Sequence, residues 1–138
     1  MRKAKAYLSQ LYRLDKLIDN KLLELNALKE MSTSISAMAY DSIKVQTSGT
    51  KDSIANTITK IVSLEKDINS DIDRLVDTKK EVIETIDKVS DNDLKCLLQY
   101  RYLQFKTWEE IAVEMGFSYQ WVHKLHARAL SEIENLIS

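Results

Sequence analysis

An all-α fold, a long antiparallel helical hairpin followed by a C-terminal helix-turn-helix, is predicted by three observations. The 138 residues include no proline and only two glycines, Gly49 and Gly116, so the chain is poor in the residues that tight β-hairpin turns require. Two long stretches carry apolar residues at steps of three and four, the period of an amphipathic helix. The last third carries helix-capping residues on either side of a glycine, at the spacing of short helices joined by a tight turn.

The first stretch runs from about Lys3 to Tyr40, with Leu11, Leu14, Ile18, Leu22, Leu25 and Leu28 on one stripe. The pattern fades over residues 31–50, where clustered Ser and Thr with Gly49 read as a loop near 41–51. The second stretch runs from about Asp52 to Val89. Its stripe is Ile54, Ile58, Ile61, Ile68, Ile72, Leu75, Val82, Ile86 and Val89, interrupted by Glu65 and Lys79. Such a sustained stripe predicts a coiled-coil seam with Glu65 and Lys79 as its polar positions. A first helix ending near Tyr40 looks too short to cover it, which predicts a homodimer through the coiled coil. Residues 1–90 are thus read as the hairpin and 91–138 as a second domain.

That second domain opens at Ser90. Ser90 and Asp93 have capping-box spacing, and a helix from about Asp91 to Phe105 is expected. Residues 107–129 then read TWEEIAVEMGFSYQWVHKLHARA. Thr107 and Glu110 form a second capping box, with Ile111, Ala112 and Met115 on the inner face of a short helix. Gly116 supplies a residue free to take positive φ, Phe117 plugs the turn, and Ser118 caps the next helix. The inner face of that helix is Val122, Leu125 and Ala129. Ala112 lies four residues before Gly116, where a larger side chain would push the two helices apart.

Charge bounds the partners. The formal net charge is −1, but residues 1–50 carry 8 basic against 5 acidic residues, 51–93 carry 7 against 11, and 94–138 carry 5 against 5. An acidic middle repels phosphate, so nucleic acid would be met from the ends. Cys96, the only cysteine, sits among Leu94, Leu97 and Leu98 and reads as a small buried hydrophobe. No apolar run approaches membrane-spanning length, and the start, MRKAKAYL, lacks an apolar signal core. A cytoplasmic protein without membrane contact is expected.

The stretch TWEEIAVEMGFSYQWVHKLHARALSEI resembles region four of bacterial primary sigma factors, which recognises a promoter element. The match lies in the Thr-x-Glu-Glu-Ile start, the Gly, apolar, Ser turn, and the closing Ala127, Ala129 and Leu130. It covers about a third of the chain. With its coiled-coil front, the chain is similar to small sigma-region-four-like proteins of phages and prophages of Gram-positive bacteria, several of them described as transcriptional regulators. The resemblance implies double-stranded DNA as ligand and RNA polymerase as a further partner.

Carried onto this sequence, it places Ser118, Tyr119, Gln120, His123, Lys124, Ala127 and Arg128 on the DNA-reading face. Gln120 suits adenine and Lys124 suits guanine. Arg101, Lys106 and Thr107 would contact phosphate near a helix N-terminus. Trp121 departs from the family, which is charged there, and is expected to pack in the core. His123 and His126 are three apart but lack further metal ligands at suitable spacing. No nucleophile motif or Gly-rich phosphate loop is present, so neither an enzyme nor a cofactor is expected. The expected function is a phage-type, sequence-specific transcriptional regulator. The alternatives are a module that engages or sequesters RNA polymerase without reading DNA, and a DNA-packaging recognition subunit.

Overall fold

The computed structural model describes residues 2–41 and 48–138, with the side chains of 2–34 and 52–138. The described residues are helical throughout, with no strand: α1 (Arg2–Asp41), α2 (Ser48–Asp87), α3 (Asn92–Leu98) running into a π-helical turn (Gln99–Leu103), α4 (Trp108–Met115) and α5 (Tyr119–Ile137). No helix among them is long and apolar enough to cross a membrane. The chain divides into two compact units, one of Met1–Asp15 with Arg74–Ser138, the other of Lys16–Asp73.

In the Lys16–Asp73 unit, α1 and α2 run antiparallel. Lys21 Nζ meets Asp71 Oδ2 at 2.6 Å, and eight residues further along α1 Lys29 pairs with Glu65 at 3.7 Å, earlier on α2. Ile18, Leu25 and Ile68 are buried in this unit, together with Thr57 and Asp71. The expected polar seam positions are therefore corrected. Glu65 and Lys79 are exposed, and in this unit the polar seam members are Thr57 and Asp71. The apolar residues of α2 follow two overlapping series, and the one through Ile61 and Ile68 is the more buried. Ile58 and Ile72 are left at the edge, 48% and 39% exposed. Thr57 is tolerated inside because its hydroxyl donates to the Ser53 carbonyl at 2.8 Å.

The expected loop is also corrected. α1 continues to Asp41 and α2 already contains Gly49; residues 42–47 of the proposed 41–51 loop lie outside the described residues. Serine and threonine do not forbid helix when their hydroxyls bond back to the preceding turn, as Thr33 does to Lys29 O at 3.0 Å. With α1 and α2 both 40 residues long, the first helix is not too short for the second.

The Lys21–Asp71 pair yields a test. Asp71→Ala would strand an ammonium whose side chain is only 25% exposed, at a cost of about 1–2 kcal/mol. Replacing both residues by Leu should restore or exceed the original stability. Urea titration of the two variants separates these outcomes; equal losses would mean the pair is not coupled.

The other unit has one core drawn from every helix. Ala4, Leu8 and Leu11 of α1 and Val82, Ile86 and Val89 of α2 pack with Leu94, Leu97, Leu98 and Tyr102. Ile111 of α4 and Val122, Leu125, Ala129, Leu130 and Ile133 of α5 complete it. The expected boundary at Ser90 therefore does not separate two cores. Ala4 N donates to Glu134 Oε2 at 2.8 Å, so α5 supplies an acceptor for the open first turn of α1. That bond holds the Glu134 carboxyl below its usual range.

Local chemistry sets the shorter elements. Asp91, not Ser90, caps α3: its carboxylate accepts from both Asp93 N and Leu94 N. The helix expected to reach Phe105 instead widens, Gln104 N bonding to Gln99 O at 3.1 Å, and Phe105 takes φ 57°. A left-handed aromatic residue is strained; Phe105 is held by packing on the core and by an edge contact with Tyr12 at 5.5 Å. Cys96 is half-buried rather than enclosed.

Candidate nucleic-acid interface

Thr107 and Glu110 form the reciprocal capping box that opens α4. At its other end Gly116 adopts φ 68°, ψ 30°. Gly116 N bonds to Val113 O at 3.2 Å and Phe117 N to Ala112 O at 3.0 Å, the bonding pattern of a Schellman C-cap. Phe117, Ala112 and Met115 pack against the core. Ser118 Oγ accepts from Trp121 N at 3.1 Å and starts α5.

Once capped there, α5 buries Val122, Leu125, His126, Ala129, Leu130 and Ile133. Its opposite face presents Gln120, Lys124, Ala127 and Arg128, all exposed, at the i, i+4, i+7, i+8 spacing of one helical stripe. Tyr119 is 45% exposed at the start of the helix. His123 sits at the edge of this face. Its ring lies 4.4 Å from Tyr119 and 4.9 Å from Trp108, with Nε2 buried and without a hydrogen-bond partner in the structure.

Trp121 is not a core residue: it is 37% exposed, and the Arg128 guanidinium lies over its ring at 5.3 Å. It shares α5's outer side with the cation that the sequence placed there. His126, in contrast, turns inward. Its Nε2 lies 2.6 Å from the Tyr102 hydroxyl. Burial foremost, then the charges of Lys5 and Arg101 and the neighbouring His123, hold His126 down at about 4. Burial pushes Tyr102 up to about 12, against a lowering by Arg101. Tyr102 therefore keeps its proton, His126 stays neutral, and the two share one hydrogen bond.

The three expected phosphate contacts are each engaged within the protein. Arg101 Nη1 donates to Lys106 O at 2.9 Å, and its guanidinium lies 4.4 Å from the Trp108 ring centre. Lys106 Nζ pairs with Glu114 at 3.7 Å. The exposed Thr107 is occupied by its capping box. Trp108, which the sequence reading did not single out, links the two groups of residues: Arg101 stacks on one ring that also meets His123 and, at 4.5 Å, His126. No sequence signal reports that contact, since it joins α4 to α5 across the turn. Among the described residues no group of His, Cys, Asp or Glu could hold a metal.

No curated protein and no solved structure matches this chain. A family model described as "Protein of unknown function (DUF1492)" matches residues 34–134, a span that takes in α2, α3 and α4 and most of α5. On that coverage the chain belongs to the DUF1492 family.

Proposed function

We propose that α4, the turn at Gly116 and α5 act as a helix-turn-helix that reads double-stranded DNA, and that the protein is a sequence-specific transcriptional regulator of phage type. The observation that carries this reading is the division of α5. One side is locked into the core, while Gln120, Lys124, Ala127 and Arg128 form an exposed stripe beginning at a capped N-terminus. A major groove admits such a helix, with Gln and Lys reaching base edges. The resemblance of the same stretch to sigma region four adds to this reading. Because the C-terminal charges balance, one copy would hold phosphate weakly, and two copies on two half-sites would raise avidity.

The test is selection from random duplexes followed by titration. Lys124→Ala should weaken binding to the selected site by about 1–2 kcal/mol and leave scrambled duplex unchanged. Lys106→Ala should weaken both alike and lower the salt slope by about one. Equal losses on both duplexes for Lys124→Ala would remove its base-reading role.

A second reading has its own observation. The outer side of α4 carries exposed Glu109, Glu110 and Glu114 around Val113, which is 83% exposed. Acids around an apolar centre would repel phosphate and suit a basic protein surface. Engagement of RNA polymerase through α4 is compatible with DNA reading by α5. Charge reversal at Glu109, which takes no part in the α4 capping box, should weaken polymerase capture while sparing DNA affinity.

A further inference from the structure

A cavity of about 490 Å³ opens where α1, the π-helical turn and the start of α4 meet, within the unit that holds the core. Its charge is one-sided. Lys5, Arg13 and Arg101 line it, and no carboxylate does. Lys5, Ser9 and Arg13 lie at successive steps of four on α1, so one stripe of that helix faces the opening. None of the ion pairs among the described residues engages any of the three cations.

Arg101 is already fixed. One of its N–H groups is given to the Lys106 carbonyl and its face lies on Trp108, which leaves further donors of the guanidinium fork for a ligand. The electrostatics agree with the geometry: after burial itself, the charges of Lys5 and Arg101 are what lower His126. An anion is the complement of three cations with no lining carboxylate.

The remaining lining is aromatic: Tyr12, Tyr102, Phe105 and Trp108. The left-handed backbone at Phe105 and its edge contact with Tyr12 place these rings beside the cations. Aromatic walls hold planar rings, and bases stack on them irrespective of sequence. A volume of this order suits a small organic ligand. Guanidinium and ammonium groups set beside stacking surfaces select a phosphate carried by an aromatic base.

We propose that this cavity is a nucleotide site, taking the phosphate on Lys5, Arg13 and Arg101 and the base against the aromatic wall. The ligand chemistry is the same for a free nucleotide and for a nucleotide within a single strand. The site is separate from the exposed stripe of α5 and does not depend on DNA reading there.

The experiment is calorimetric titration of the full chain with AMP, adenosine, inorganic phosphate and hexadeoxyadenylate. Lys5→Gln/Arg13→Gln is the principal variant, because both positions are exposed and the fold should persist. A Trp121→Phe background leaves Trp108 as the only tryptophan, so quenching on titration reports binding in this cavity. AMP should bind with saturable heat, more tightly than adenosine or inorganic phosphate, and the double variant should lose at least about tenfold in affinity. Binding of hexadeoxyadenylate without AMP, with the same loss in the variant and the same Trp108 quenching, supports the site and assigns it to a strand. No binding of either at millimolar concentration would overturn the proposal. So would inorganic phosphate binding as tightly as AMP, or affinity unchanged in the double variant.

Discussion

Gly116→Val is expected to destabilise the unit containing α4 and α5 by about 3 kcal/mol. Gly116 has φ 68°, in the left-handed region, and a Cβ added there would meet nothing within 4 Å. Steric crowding by neighbours is therefore not the cause; the penalty is the backbone conformation itself, and it is greatest for a β-branched side chain. If Val forces the backbone out of that region, the bonds from Gly116 N and Phe117 N to Val113 O and Ala112 O are lost. The carbonyls at the end of α4 then lose their partners. Gly116→Asn should cost much less, because Asn tolerates this region. Urea unfolding followed by circular dichroism would show a lowered midpoint for Val, a smaller drop for Asn, and retained helicity in Lys16–Asp73. Val and Asn variants both melting like the parent would mean the turn can be remade without left-handed backbone.

Acid should remove a comparable amount through His126. Its folded value of about 4 lies below the 6.5 of the unencumbered imidazole. The folded protein therefore binds that proton less readily than the unfolded chain. The contribution is complete above pH 6.5 and is lost as pH falls from 6.5 through about 4, amounting to about 3 kcal/mol at the lower end. His126→Gln keeps a hydrogen-bonding group beside the Tyr102 hydroxyl but cannot titrate. Its stability should fall less steeply across this interval, even though carboxylates titrate in both proteins. Tyr102→Phe leaves the His126 Nε2 buried without its partner and should cost about 1–3 kcal/mol at neutral pH. Denaturant midpoints at several pH values decide the matter; parallel curves for parent and His126→Gln would exclude His126 as the group responsible.

What could be read from the sequence was local. The Thr107–Glu110 box, the left-handed Gly116 and the Ser118 cap each depend on residues a few positions apart, so spacing alone carries the information. The buried Val122, Leu125 and Ala129 follow from helical period. Ser90 is singled out by its spacing to Asp93, and only the geometry shows that the Asp91 carboxylate reaches two amides. Along the second stretch, Ile68, Val82, Ile86 and Val89 are buried as the period predicts, whereas Thr57 and Asp71 are missed because they look like surface residues until their partners are known. Trp121 is expected in the core, yet a large ring with a cation over it can stay half outside. The Tyr102–His126 bond spans 24 positions, and Lys5 and Arg13 meet Arg101 only through the fold. No pattern along the chain announces either juxtaposition.

The bond from Ala4 to Glu134 joins residues 130 positions apart, and this has a consequence for how the protein is made. At ordinary rates of synthesis the ribosome needs on the order of 10 s to travel that distance. For most of that interval the core around Leu8 and Leu11 lacks its members from α3, α4 and α5. The α1–α2 hairpin can zip as soon as Asp87 is out, but the larger core waits for α5. Its completion is then a single late closure of α5 upon α1, slower than the formation of any of the helices it assembles. Until that closure the apolar face of α1 is open to chaperones, and to the same segment of a neighbouring nascent chain.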